Sequence, residues 1–156
     1  MQPFHTKISN TVDRIVLLAL SVAQVRSASP ARDLCTSRWF FFARAYAESH
    51  ACPWLLLSAR HGLVSPQQVI APYEADLGAM SAQQRREWGR TVGEAARQTL
   101  PFTRQIVLLA GIKYVKCLRP YLEELTDELY TPLAGLTVGY QCGWLRCNTP
   151  VCAEPD

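Results

Sequence analysis

Four short, unbroken apolar runs constrain this chain more than any other feature of it: Arg14 to Ser21, Trp54 to Ser58, Gln105 to Ala110 and Glu128 to Pro132. A strand with one wet face alternates apolar and polar residues, whereas a strand covered on both faces reads as a continuous apolar run. The runs therefore predict buried strands of a parallel sheet. Parallel neighbours need crossover connections, and the segments between the runs have helical spacing. From Ser37 to His50, Trp39, Phe42, Ala43, Tyr46 and Ala47 recur along one helix face before Cys52-Pro53 breaks the chain. Ser81-Ala82-Gln83-Gln84 is a capping-box pattern opening a helix to about Leu100, with Trp88, Val92, Ala95 and Thr99 on one side. A third helix starts at Gly111 and buries Val115, Leu118, Leu122 and Leu125, with Pro120 expected to kink or restart it. A fourth runs from about Val138 to Arg146.

The resulting order, β-α-β-loop-α-β-α-β-α, predicts a single α/β domain over residues 1–156, with 1–13 and 148–156 as peripheral tails. Its short, mostly parallel sheet is covered by helices on both faces. At 156 residues and 49% hydrophobic content, such a domain buries roughly 68–70% of its unfolded surface and needs no covalent staple. The six cysteines, at 35, 52, 117, 142, 147 and 152, form no CxxC pair and match zinc spacing poorly. They are expected to be reduced, mostly buried thiols, a bridge or metal among the last three being the lesser alternative. No metal or other cofactor is expected. A net charge of +3 tolerates a polyanion without demanding one.

The apolar run from Ile15 to Ala23 follows Arg14 and precedes small residues at Ser27, Ala28 and Ser29, as in a weak signal peptide. Asp13 sits where a positive region belongs, and Ser21 and Gln24 interrupt the run, so it is read as the first strand of a cytoplasmic protein. It is too short to span a bilayer, and no membrane partner is expected.

In open parallel sheets ligands bind beyond the carboxyl ends of the strands, where helix amino-termini point and loops are free to vary. The second strand exits into Ser58-Ala59-Arg60-His61-Gly62, a hydroxyl, a guanidinium and an imidazole together. Imidazole exchanges protons near neutral pH, so His61 reads either as an acid–base group oriented by Ser58 or as a hydrogen-bonded turn histidine. Pro72-Tyr73-Glu74-Ala75-Asp76 adds a phenol and two carboxylates, read either as groups that activate water or stabilise a cationic transition state or as residues of a solvated loop. The third strand exits into Gly111 and Tyr114, and the fourth into a small-residue loop containing Gly135 and Gly139, followed by Gln141 with an amide suited to base or sugar contacts. Arg86, Arg90 and Arg97 line the helix face opposite Trp88, either as a solvated surface or as a track for phosphates.

Much of the chain carries a recognisable pattern: Pro30-Ala31-Arg32-Asp33-Leu34, Arg44-Ala45-Tyr46-Ala47-Glu48, Leu57 to Val64, Ala71-Pro72-Tyr73-Glu74, Ala110-Gly111 with Tyr114, and Pro132 to Leu136 with Gly139 and Gln141. It resembles a family of small bacterial and phage domains of unassigned function. That family is distantly similar to the peroxide-stress protein YaaA and to a domain of archaeosine synthase, which also has a Ser-x-x-His element. The resemblance implies a Rossmann-like fold and a nucleic-acid or nucleobase context, among base-modifying and N-glycosidic enzymes of stress or phage defence. Members usually end the first strand in Gly-Cys-Gly-Lys-x-Lys or Ser-Cys-Ser-Lys-x-Lys, whereas this chain reads Ala19-Leu20-Ser21-Val22-Ala23-Gln24. The usual aspartate after Pro-Tyr is Glu74.

Two expectations follow. In the first, the protein is a glycosylase-like enzyme that cleaves or exchanges an N-glycosidic bond: Glu74 steadies the sugar cation or orients water, His61 is the acid or base, Ser58 and Gln141 position the base, and Tyr73 or Tyr114 stacks on it. Arg60, Gly111, Gly135 and Gly139 complete its binding surface. In the second, it binds nucleic acid or nucleotide without turnover, having lost the first-strand cysteine and lysines.

Overall fold

All four apolar runs form strands. In a computed structural model, which describes residues 12–150, the main sheet contains β1 (Val12–Ala19), β3 (Trp54–Ser58), β4 (Gly62–Val64), β6 (Thr103–Leu109) and β7 (Thr126–Tyr130), in the spatial order β4-β3-β1-β6-β7. β1 lies parallel to both β3 and β6, with Leu18 opposite Leu56 on one side and Leu109 on the other, and β7 extends β6 in parallel. The helices are the short α1 (Ala31–Leu34), α2 (Arg38–Ser49), α3 (Ala82–Thr99), α4 (Ile112–Leu122) and α5 (Val138–Asn148). This is the α/β Rossmann-like arrangement expected.

Alternating side chains of the continuous runs fill two separate cores. Val16, Leu18 and Leu20 of the first run, with Leu56, Val107 and Leu109, pack against Phe40, Ala43 and Ala47 of α2 and Leu145 of α5. Ile15, Leu17 and Ala19, with Leu57, Ile106 and Leu108, pack against Val92 and Ala96 of α3 and Val115, Leu118 and Leu122 of α4. Both faces of the sheet are covered, which is why the runs do not alternate. The segment weighed as a signal sequence is thus the central strand, and no helix among the described residues is long and apolar enough to cross a membrane.

Three strands begin two residues before their predicted starts and end before the predicted ends. Polar residues open the ladders: Thr103 pairs with both Val12 and Thr126, and its buried hydroxyl donates to the Val12 carbonyl at 2.7 Å. A reading of apolar runs excludes such threonines. It also overlooks the antiparallel edge strand β4 and the short ribbon formed by β2 (Ser29–Pro30) and β5 (Val69–Ile70), which carry too few apolar residues to register. The helix boundaries hold closely. Ser81 and Gln84 form the reciprocal capping box, each side chain meeting the other's backbone N–H, and Ser37 caps α2 through the Phe40 N–H. Pro120 does not restart α4; the helix continues to Leu122 and tightens into a 3-10 turn at Glu123–Leu125.

One contact between helices governs the position of the site. Gly89 and Gly93 of α3 let α4 approach so closely that a Cβ at Gly93 would stand 2.2 Å from Tyr121 Cγ, and one at Gly89 2.6 Å from the Cys117 carbonyl oxygen. Seated in this way, α3 directs the Trp88 indole N–H to the backbone carbonyl of Ser58 at 3.0 Å.

Candidate functional site

Ser58 ends β3 and is wholly buried. Its hydroxyl oxygen accepts the backbone N–H of His61 at 2.8 Å and that of Arg60 at 3.2 Å, closing a tight turn. Gly62 completes the reversal with φ +76°, a left-handed conformation that a side chain would strain, and the chain returns as β4. Arg60 and His61 are left exposed at the tip of the turn, at the carboxyl end of the sheet. Ser58 therefore shapes the turn, its buried hydroxyl accepting two backbone donors, and the same hydroxyl lies beside the Tyr73 phenol.

The loop carrying Tyr73 and Glu74 comes to the same turn. The Tyr73 ring meets His61 edge-on, with centroids 5.4 Å apart and planes at 81°. The Tyr73 backbone N–H donates to Gln24 Oε1 at 2.9 Å, and the Gln24 amide donates to the Ser21 carbonyl at 3.0 Å, so Gln24 ties this loop to the exit of β1. Burial pushes the Tyr73 phenol above its ordinary value, while the Ser58 and Gln24 side chains and the Ala59 backbone draw it back. Between these loops lies an open cleft of about 780 Å³ lined by Gln24, Arg26, Arg60, His61, Tyr73 and Glu74, with Val22, Val25, Ala71 and Pro72 as its apolar wall. The structure thus brings Arg60, His61, Tyr73 and Glu74 together. Cations at Arg26 and Arg60 face a single carboxylate, Glu74, beside an imidazole; such a site suits an anionic ligand and has groups able to give and take a proton.

Other expected site residues lie outside that lining. Tyr114 is half-buried and packs edge-on against Trp88 at 5.4 Å, and burial raises its phenol far above the ordinary value. Its ring is therefore held by packing against Trp88. Gln141, expected to contact a base, is buried and fully engaged: Oε1 accepts the Trp39 indole N–H at 2.7 Å, and Nε2 donates to the carbonyls of Leu136 at 2.9 Å and Leu133 at 3.3 Å. It locks the β7–α5 loop. Gly135 serves the same loop with φ +85°, and Gly139 stands exposed in the first turn of α5. Gly111 caps α4 without a side-chain bond, in open space. Arg86 and Arg90 are exposed on α3, and Arg97 pairs with Glu124 at 3.1 Å.

Gln24 and Arg26 were the residues sequence reasoning missed. Reading Gln24 as a lost lysine overlooks what its amide does, and the signal available was position, since both follow the carboxyl end of the first strand. Among the described residues, Cys35, Cys52, Cys117, Cys142 and Cys147 are free thiols, while Cys152 lies outside them. No three His, Cys, Asp or Glu side chains among the described residues gather as metal ligands.

No curated protein and no solved structure matches the chain. Residues 15–147 match a family of unknown function, DUF6884, and this span contains both cores and every loop of the cleft. The chain belongs to that family.

Proposed function

We propose that the cleft receives a nucleotide unit and that His61 and Glu74 act on its N-glycosidic bond. The observation that carries this reading is the convergence of an exposed imidazole and a carboxylate, from loops after different strands, on one cleft that also presents two guanidinium groups. In the reaction, His61 donates a proton to the departing base as the bond between C1′ and the base nitrogen breaks. Glu74 steadies the positive charge on the sugar, then accepts a proton from the water that adds to C1′. Arg60 and Arg26 hold phosphate, and Ser58 holds the turn that presents His61. The likeness of Ser58-Ala59-Arg60-His61 to the Ser-x-x-His element of the archaeosine synthase domain supports the nucleobase context.

A second reading, binding without turnover, is favoured by Gln24. The side chain at the last lysine position of the pattern this chain resembles is neutral and engaged in holding the Tyr73 loop, so it brings no cation to the exit of β1. Base release from single-stranded and duplex DNA carrying ordinary or modified bases decides between them. On the first reading, His61→Ala and Glu74→Gln each lower release by roughly 100-fold or more. The exposed His61 should leave stability within about 1 kcal/mol when removed. A wild-type protein that binds DNA and releases nothing leaves the binding reading standing.

A further inference from the structure

The turn that carries Arg60 and His61 is a ridge between two clefts. On its far side from Glu74 lies a second opening of about 400 Å³, lined by the same Arg60 and His61 together with Gln84, Glu87, Trp88 and Thr91 of α3. Arg60 is exposed, and no carboxylate among the described residues lies within ion-pairing distance of it. Each cleft has one carboxylate, Glu87 in the second and Glu74 beside Arg26 in the first, so the shared Arg60 stands between a cleft of mixed charge and one lined by a carboxylate alone.

We infer that the site takes two nucleotide units joined by a phosphodiester, with the linking phosphate over Arg60 and one uncharged sugar-and-base portion in each cleft. This inference rests on the nucleotide-directed reading given above. The unpaired guanidinium shared by two clefts selects the ligand class. Phosphate is drawn to the Arg60 guanidinium that both clefts share and to Arg26 of the first, while Glu74 and Glu87 suit sugar hydroxyls and base amino groups that donate hydrogen bonds to a carboxylate. An acidic peptide would set a carboxylate against Glu87 in the second cleft, and a lone nucleoside would leave one cleft empty. The second cleft is also built to hold a flat group. Trp88 forms a rigid aromatic wall there, its indole N–H bonded to the Ser58 carbonyl and its ring fixed edge-on against Tyr114. Gln84 Oε1 is taken by the Ser81 N–H, leaving its amide hydrogens for an acceptor on a base edge. A volume of about 400 Å³ lies within the range of small-ligand sites.

Calorimetric titration of the four 5′-phosphorylated homodinucleotides of DNA and the four corresponding mononucleotides tests the inference. At least one dinucleotide is expected to bind roughly tenfold more tightly than its mononucleotide. Thr91→Trp, which places an indole in the second cleft from an exposed helix position, should bring that dinucleotide down to the affinity of the mononucleotide. Arg60→Gln should erase the same difference, and melting curves confirm that both variants are folded. Mononucleotides that bind as tightly as dinucleotides, or a dinucleotide advantage that survives Thr91→Trp, overturn the two-unit site and leave the single-nucleotide cleft intact. Binding of neither class overturns the nucleotide-directed reading, and this inference with it.

Discussion

The β3–β4 turn and the β7–α5 loop leave the same carboxyl end of the sheet, near its opposite edges, and each is pinned by a tryptophan indole. In the first, the Trp88 N–H bonds to the backbone carbonyl of Ser58, and the side chains of Arg60 and His61 remain free in the cleft. In the second, the Trp39 N–H bonds to the side chain of Gln141, whose own amide then holds two loop carbonyls. Both loops offered polar residues suited to ligand contact. What separates them is where the scaffold takes hold: the first turn is held at its base, through Ser58, and keeps the side chains at its tip available, whereas the second is held through the very side chain, Gln141, that was expected to meet a ligand.

The sharpest way to break this contrast is at Gln141. Gln141→Leu removes one acceptor and two donors from a buried site, stranding the Trp39 N–H and the Leu136 carbonyl and leaving the Leu133 carbonyl only the Leu136 N–H, and should destabilise the protein by about 1–3 kcal/mol. Affinity for nucleotide should stay within about twofold, because the residue lies outside the cleft. Chemical denaturation and ligand titration on the same variant check both halves. A stable variant with weakened binding would return Gln141 to the site.

Ser58→Ala sharpens the other half. Its hydroxyl accepts two backbone N–H groups, so the loss should cost about 1 kcal/mol. Unlike Gln141→Leu, it should also weaken ligand binding or base release, because the turn presenting Arg60 and His61 is no longer fixed. Equal effects on both properties in the two variants would erase the distinction between the loops.

The surroundings of the first loop add a pH signature. Burial raises the Tyr73 and Tyr114 phenols above their ordinary value of 10.0 and the Cys35 thiol above 9.0. Each of these groups ionises more readily in the unfolded chain than in the folded one. Their contribution is therefore fully present below the unfolded values and is lost as pH rises through the folded ones. The melting temperature should be insensitive to these groups at pH 7 and fall in the alkaline range above about pH 9, and Tyr73→Phe should soften that fall. An alkaline fall of the same depth in Tyr73→Phe would remove Tyr73 from this account.

How much of this was legible in the sequence depended on how many atoms a feature involves. Strands such as Trp54–Ser58 could be read because every side chain in the run contributes to burial on one face or the other. Helix starts could be read because Ser81 and Gln84 use contacts within one turn of chain. The edge strand Gly62–Val64 could not, since it exists only through pairing with β3. In the site, Arg60, His61, Tyr73 and Glu74 could be proposed from their place at strand exits. The inward turn of Gln141 depends on Trp39, a residue from α2 that no local pattern connects to it. Gln24 was hidden likewise, as its bond to Tyr73 joins distant loops.

The smallest expected effect concerns the arginines of α3. At about 3.6 residues per turn, Arg86 and Arg90 fall on the side of the helix away from Gln84, Trp88 and Thr91, which line the second cleft. Arg97 is already paired with Glu124 across to the turn after α4. A strand bound over Arg60 therefore has no reason to follow this face. Replacing Arg86 and Arg90 together by Gln should change stability by no more than about 0.5 kcal/mol and leave the slope of log affinity against log salt unchanged. Arg60→Gln should reduce that slope by about one phosphate contact. The comparison is made with one single-stranded oligonucleotide across a salt series, so that the three proteins differ only in where the charge was removed. A slope flattened by the α3 pair and untouched at Arg60 would move the nucleic-acid contact from the sheet edge to the helix face, and the availability of the β3–β4 turn would then need another ligand to explain it.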